Sequence, residues 1–128
     1  MKKIFVLIVL TLTFCLSAPA QVSQRQKMIH MAALRIAGQI GVADKDKETF
    51  ISLYQNYKKE SAEIMRVQPS SSDDAEVAAE SKILSDFDKS EKILQLRRKY
   101  YAKFRTILTP TQIQKMYDAE RAAVTAPA

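Results

Sequence analysis

Apolar residues recur along most of this chain at intervals of three and four, which is the spacing of one face of an α-helix. The clearest example places Phe50, Tyr54, Tyr57 and Ile64 on one line, with Ser61 as its only polar member. No segment sustains the apolar–polar alternation that is typical of a half-buried strand. The pattern therefore predicts an all-α fold.

Four helices are predicted because few residues interrupt these patterns. The chain contains only two glycines and four prolines. Gly41 is placed to end the first helix, and Pro110 is placed to begin the fourth. The predicted helices span residues 24–40, 45–67, 74–107 and 110–124.

Polar residues that can accept hydrogen bonds from free backbone N–H groups precede each predicted helix. The strongest signal is Thr109 with Gln112 three residues later, a capping-box pattern in which each side chain bonds the other residue's N–H group. The predicted capping residues are Ser23, Asp44, Asp73 and Thr109.

The third helix is unusually long and is apolar over much of its length. Some 34 residues would span roughly 50 Å at the usual rise per residue, so we expect an elongated molecule, or a bend near the polar residues 88–90. The three shorter helices leave part of its apolar surface uncovered, which predicts pairing with a second copy as a homodimer. The heptad-like apolar stripe of this helix is Ile83, Phe87, Leu94, Tyr101, Phe104 and Leu108, and it is broadened by Leu84, Ile93, Leu96, Tyr100 and Ile107.

The first twenty residues have the pattern of a cleaved secretory signal peptide. A basic start at residues 1–3 precedes an apolar run over residues 4–16, and Ala18 and Ala20 form the small-residue cleavage signal. The run is shorter than a membrane span requires. The expected domains are the signal peptide at residues 1–20 and one helical domain at residues 21–128, located outside the cytoplasm.

Cys15 raises the alternative of a lipoprotein, but Phe14 stands where lipoprotein processing needs a small residue. Lipid anchoring through Cys15 is therefore not expected. Cleavage after Ala20 would remove the only cysteine, so no disulfide would stabilise the mature domain.

The charge balance is mildly basic and indicates anionic partners. The net charge of the whole chain is +6, and it falls to +4 when Lys2 and Lys3 leave with the signal peptide. Outside the cytoplasm the candidate partners are lipid headgroups, acidic polysaccharides and acidic protein segments, and nucleic acid is not expected.

The residues needed for catalysis or for cofactor binding are scarce. One histidine, no mature cysteine and two glycines argue against most metal, nucleophile and phosphate-binding sites. The carboxylate pairs, such as Asp86 and Asp88, lie in polar segments, whereas acid–base catalysis needs an enclosed cleft. We therefore expect no enzyme and no cofactor.

Met28, His30 and Met31 cluster near the mature N-terminus and have two interpretations. Thioether sulfur and imidazole nitrogen are ligands that suit copper, which makes these residues weak candidates for a metal site. Alternatively, Met28 and Met31 belong to the core and His30 lies on the surface.

Cations crowd the end of the third helix and alternate with aromatic residues. Arg97, Arg98, Tyr101 and Arg105 are the candidate client-binding or partner-binding residues, because binding surfaces are enriched in arginine and tyrosine. The other interpretation is an aromatic core stripe beside a solvated basic face.

Leu108-Thr109-x-x-Gln112 resembles the LTxxQ signature of the Spy/CpxP superfamily of periplasmic helical proteins. Residues 42–46 correspond to a second, degenerate copy, in which Val42 replaces Leu, Ala43 replaces Thr and Asp46 replaces Gln. The resemblance implies long, bent helical hairpins that assemble as cradle-shaped antiparallel dimers.

The resemblance also implies a function. Members of the superfamily are ATP-independent stress proteins that limit aggregation, modulate an envelope-stress sensor kinase or respond to metal ions. We therefore expect a periplasmic chaperone-like protein or stress adaptor that binds partly folded proteins or a membrane sensor. The alternative is a metal-responsive sensor or metal-resistance protein of the same superfamily.

Overall fold

The computed structural model describes residues 19–125, and the side chains within residues 24–123. This part of the chain forms four α-helices and one short 3-10 helix and contains no strand, which confirms the all-α prediction. The predicted signal peptide, including Cys15, lies outside the described residues except for its last two positions. The helices are α1 (Pro19–Ile40), the 3-10 helix (Asp44–Asp46), α2 (Lys47–Arg66), α3 (Ala75–Phe104) and α4 (Pro110–Thr125).

Helix α1 begins at Pro19, five residues before the predicted start at Gln24. Ser23 therefore lies inside the helix, and its prediction as a capping residue was wrong. Proline is well tolerated in the first helical turn because its missing N–H group would have no partner there, and nothing between Pro19 and Gln24 disfavours helix.

The end of α1 has the predicted glycine and a specific turn. Gly41 has a φ angle of +74°, which an L side chain would adopt only with strain. The Val42 N–H group donates to the carbonyl oxygen of Ala37 over 3.0 Å, the long hydrogen bond of a Schellman motif. Because Ala37 and Val42 are both buried, the same turn brings the chain back into the core.

Helix α2 starts without the predicted cap. Asp44 begins the 3-10 helix and pairs with Lys47 over 2.9 Å instead of accepting from the backbone. Asp46 occupies the capping position of α2, and its side chain makes no capping hydrogen bond. The short 3-10 turn provides the entry to α2, so the prediction of Asp44 as the cap was wrong.

Helix α3 is capped one residue later than predicted. The Asp74 carboxylate, rather than that of Asp73, accepts from the N–H groups of Glu76 at 2.9 Å and Val77 at 3.4 Å. The helix is continuous through residues 88–90 and ends at Phe104, so its 30 residues measure about 45 Å.

The core lies at one end of the α2–α3 hairpin. Every buried side chain belongs to residues 33–57 or to residues 96–116, and none of the side chains at residues 58–95 is buried. The fully buried large residues are Ile36, Phe50, Phe104 and Met116. Beyond this core, α2 and α3 continue as an arm whose side chains are at most half-buried.

Aromatic rings join α2 to α3 in the core. The ring centroids of Phe50 and Phe104 lie 5.8 Å apart, and those of Tyr57 and Tyr100 lie 5.5 Å apart in an edge-to-face arrangement. These separations fall in the favourable range for aromatic pairs. The predicted seam of Phe50, Tyr54 and Tyr57 on α2 is thus confirmed as core.

Within residues 19–125, no helix is both long enough and apolar enough to cross a membrane.

Candidate functional site

The Leu108-Thr109-x-x-Gln112 segment forms the predicted capping box at the start of α4. The Gln112 N–H group donates to the Thr109 hydroxyl over 3.2 Å, and the Thr109 N–H group donates to Gln112 Oε1 over 2.9 Å. Leu108 is buried directly before the cap. Each of the three motif residues therefore has a structural role.

Gln112 has a second role that the sequence did not reveal. Its Nε2 group donates to the carbonyl oxygens of Ile40 at 3.2 Å and Gly41 at 3.0 Å. Carbonyls at the end of a helix have no partner within that helix, so one glutamine side chain caps the start of α4 and supplies donors to the end of α1. The motif therefore ties the start of α4 to the end of α1.

The degenerate copy at residues 42–46 reproduces only the apolar part of the motif. Val42 is buried, as Leu108 is. Ala43 precedes the 3-10 helix and, as expected, offers no side-chain cap. Asp46 makes no capping hydrogen bond, so this copy lacks the reciprocal contacts that Thr109 and Gln112 form.

A row of apolar residues along α3 faces solvent; we call Ile83, Phe87, Leu94 and Tyr101 the outer stripe. Their exposed fractions are 52%, 62%, 52% and 43%. At about 100° per residue they fall within a sector of roughly 40°. The buried residues of α3, which are Leu96, Tyr100 and Phe104, lie about a third of a turn away.

The predicted heptad-like stripe is therefore divided between solvent and the core. Only Phe104 and Leu108 are buried. The arm side of α3 that continues the buried face carries the small residues Ala78, Ser81 and Ser85, which are half-buried. The bulky apolar residues Ile83, Phe87 and Leu94 lie outside this half-buried side of α3.

The four predicted binding residues near the end of α3 have different surroundings. Arg98 and Tyr101 are exposed, and Tyr101 completes the outer stripe. Arg97 lies 5.5 Å from the Tyr117 ring, and a hydrogen bond with Tyr57 raises the pKa of Arg97. Arg105 donates to the carbonyl oxygen of Leu108 over 2.8 Å and so stabilises the turn into α4.

An ion pair also joins α2 to α3 close to the point where the arm meets the core. Lys99 pairs with Glu60 over 3.0 Å, which links α3 to α2. A hydrogen bond with Tyr100 and the contact with Lys99 lower the pKa of Glu60. Burial raises the pKa of Tyr100 to about 12, and the hydrogen bond with Glu60 acts in the same direction.

Glu120 interrupts the apolar face of α4 and lies half-buried beside Tyr54. Burial, followed by the negative charge of Glu120, raises the pKa of Tyr54. Glu120 thus meets a tyrosine hydroxyl at the edge of the core.

Met28, His30 and Met31 do not converge on one point. Met28 and Met31 are 71% and 68% exposed, which overturns their assignment to the core. His30 lies on another side of α1, where its Nδ1 atom is 3.3 Å from Gln55 Nε2. On the core side of α1, Ile29 and Ala33 pack inward instead. In the described part of the chain, no group of three or more His, Cys, Asp or Glu residues could hold a metal ion.

No protein-family model, curated protein or solved structure matches this chain.

Proposed function

We propose that this protein is an ATP-independent, chaperone-like or stress-adaptor protein of the periplasm that holds partly folded proteins, or a sensor partner, on the outer stripe of α3. The observation that carries the proposal is the exposure of Ile83, Phe87, Leu94 and Tyr101 on one side of a continuous helix. A contiguous apolar surface on a small domain is a common sign of an interaction site.

The size of the stripe fits loose and reversible binding. Complete burial of one fully exposed large apolar side chain contributes about 1.5–3 kcal/mol. The four stripe residues are only 43–62% exposed, so covering them could contribute roughly 3–6 kcal/mol before the costs of association. Those costs amount to several kcal/mol or more. The balance suits a holding protein, whose clients must be able to leave without ATP.

Charge near the stripe supports capture of anionic or mixed-charge clients. Arg98 is exposed beside Tyr101, and Arg97 lies on the other side of the stripe. Cations at the edge of an apolar patch increase the rate of encounter more than the final affinity. Arg105 contributes less in this proposal, because its guanidinium already bonds Leu108.

The cellular location rests on the sequence. The signal peptide proposed for residues 1–20 would deliver the domain to the periplasm, where ATP is not available. The resemblance of the Leu108–Gln112 motif to the Spy/CpxP superfamily supports the same class of function. The long α2–α3 hairpin is compatible with the bent hairpins of that superfamily.

The outer stripe could also pair with a second copy of the chain, as the proposed homodimer requires. Glu76 and Glu80 lie near the stripe in the first half of α3, whereas Arg97 and Arg98 lie near it in the second half. An antiparallel pair of α3 helices would therefore place opposite charges together. Self-pairing and client binding would then compete for one surface.

The metal-responsive alternative has less support, because His30 lies on a different side of α1 from Met28 and Met31.

The proposal is tested by light scattering from several unrelated proteins as they aggregate, with and without equimolar chain. The variant Ile83→Gln/Phe87→Gln/Leu94→Gln removes most of the outer stripe. A matched control replaces Met65, Val67 and Val77, which are 55%, 53% and 52% exposed but lie off the stripe.

We expect the wild type and the control to suppress aggregation and the stripe variant to lose most of this effect. Equal suppression by the two variants would show that the outer stripe is not the binding surface. No suppression by the wild type with any client would reject the chaperone-like function.

A further inference from the structure

The solvent-facing side of α1 combines apolar and cationic residues. Met28, Met31 and Leu34 are 71%, 68% and 47% exposed. Lys27 and Arg35 are exposed on the same side. At about 100° per residue, these five side chains fall within a sector of roughly 120°. We call them the α1 outer face.

Helix α1 has no acidic residue, although it is 22 residues long. The first carboxylate after it in the chain is that of Asp44, which pairs with Lys47. Among the described residues, neither Arg25, Lys27 nor Arg35 forms an ion pair. Helix α1 therefore carries positive charge without a carboxylate of its own.

On α2 and α3, by contrast, carboxylates pair with some of the cations. On α3, Lys82 pairs with Asp86 over 3.2 Å and Lys92 pairs with Asp88 over 3.0 Å. Helix α2 contains three glutamates, and Glu60 pairs with Lys99. The absence of any acidic residue thus distinguishes α1 from the mixed-charge surfaces of α2 and α3.

An apolar groove extends this face toward α2. It has a volume of about 400 Å³, and its apolar lining residues are Met28, Ile29, Ala32 and Tyr54. Arg25 and Lys58 also line it, and none of its lining residues is acidic. The groove could accept an apolar chain while the two cations meet an anionic group.

From these observations we infer that α1 docks on the surface of an anionic lipid bilayer. An amphipathic helix that is rich in cations and carries exposed large apolar residues is the usual element for such binding, because its apolar side chains enter the headgroup region and its cations meet the lipid phosphates. The negative charge of the lipid headgroups would explain the cations of α1. The apolar interior of a bilayer would also explain why Met28, Met31 and Leu34 are exposed.

This docking goes beyond the proposed client binding and uses none of the outer-stripe residues of α3. It depends on the proposed export only for the presence of a membrane. Docking through α1 would leave the outer stripe of α3 available to clients.

The experiment measures flotation with vesicles of phosphatidylglycerol and phosphatidylcholine, using the chain that begins at Gln21. This chain keeps every buried residue of the described core. We expect binding to the anionic vesicles, weaker binding at high salt, and little binding to vesicles of phosphatidylcholine alone.

Two α1 variants separate the electrostatic and apolar contributions. Arg25→Gln/Lys27→Gln/Arg35→Gln should weaken partitioning about 100-fold, since each cation near an anionic surface contributes about fivefold. Met28→Gln/Met31→Gln/Leu34→Gln should also lose most of the binding while the net charge is unchanged. The charge-matched control replaces three exposed lysines elsewhere, Lys45, Lys59 and Lys115, and should keep most of the binding.

Equal losses in the cation variant and its lysine control would overturn the assignment to α1 and indicate attraction by net charge alone. No binding of the wild type to anionic vesicles would reject the lipid surface, and binding of polyglutamate in its place would point to an acidic protein partner. All α1 variants should still suppress aggregation if the outer stripe of α3 holds clients, so the two proposals can fail independently.

Discussion

Gln112 is the side chain whose removal should reveal most clearly how the domain is held together. Its amide makes three hydrogen bonds: Oε1 accepts from the Thr109 N–H group, and Nε2 donates to the carbonyl oxygens of Ile40 and Gly41. In Gln112→Ala all three are lost, and the start of α4 is no longer tied to the end of α1.

The expected cost follows from these contacts. A typical hydrogen bond contributes about 0.5–1.5 kcal/mol net of water, and Gln112 is only half-buried, so water can replace part of what is lost. We therefore expect Gln112→Ala to lower the free energy of unfolding by about 2 kcal/mol. Thr109→Ala loses one capping bond, from the Gln112 N–H group, and should cost about 1 kcal/mol.

Gln112→Glu separates the two roles of the side chain. A glutamate at this position can still accept from the Thr109 N–H group, but it cannot donate to Ile40 or Gly41. Its negative charge would also lie beside two carbonyl oxygens at the negative end of the α1 dipole. This variant should therefore be clearly less stable than the wild type, although it keeps the capping box.

Urea denaturation followed by circular dichroism measures both effects as shifts in the midpoint at constant slope. Gln114→Ala is the matched control, because Gln114 is an exposed glutamine on the same helix and should change stability by less than about 0.5 kcal/mol. If Gln112→Ala behaved like Gln114→Ala, the tie between α1 and α4 would not stabilise the domain. A glutamate variant as stable as the wild type would limit the role of Gln112 to the capping box.

Three further predictions test the core, the α1 turn and the tyrosines. Phe104→Ala should cost about 3–5 kcal/mol in urea denaturation because Phe104 is fully buried, whereas Phe87→Ala should cost less than about 1 kcal/mol because Phe87 is 62% exposed; similar costs would contradict the assignment of the two faces of α3. Gly41→Ala should lower the thermal midpoint because its φ angle is +74°, whereas Gly38→Ala, in a helix with open space around its Cβ position, should raise or maintain it. Burial raises the pKa of Tyr100 from 10.0 to about 12. The tyrosine therefore loses its proton first in the unfolded state, and the free energy of unfolding falls as the pH rises from 10 toward 12. In Tyr100→Phe this free energy should fall less steeply with pH, and the same dependence as in the wild type would contradict that cause.

The local features of the fold were predictable from sequence because they depend on residues close together in the chain. The seam of Phe50, Tyr54 and Tyr57 follows from helical spacing alone. The Thr109–Gln112 box and the glycine turn at Gly41 each need only a few neighbouring residues. The error at Asp73 concerns which of two adjacent aspartates acts, because Asp74 is the cap. At Asp44 a 3-10 turn replaces a side-chain cap. Backbone geometry decides both questions.

The partners of each helical face could not be predicted in the same way. Met28 and Met31 are three residues apart, and inward-facing Ile29 and Ala33 are four apart. Both spacings keep a pair on one side of a helix, so periodicity did not decide which pair is buried. On α3, apolar residues cover two sides of the helix, and the sequence does not state which of these sides meets the rest of the domain. The missed contact of Gln112 with Ile40 joins residues 72 positions apart.

The central claim is that the outer stripe of α3 holds clients, and site-specific photo-crosslinking tests it most directly. A photoreactive residue is placed at position 87 on the stripe and, in a second chain, at position 88, about 100° around the same helix. Both chains are irradiated with an unfolding client. The account predicts strong client crosslinks from position 87 and few from position 88. Equal yields from the two positions, or none from position 87, would contradict it.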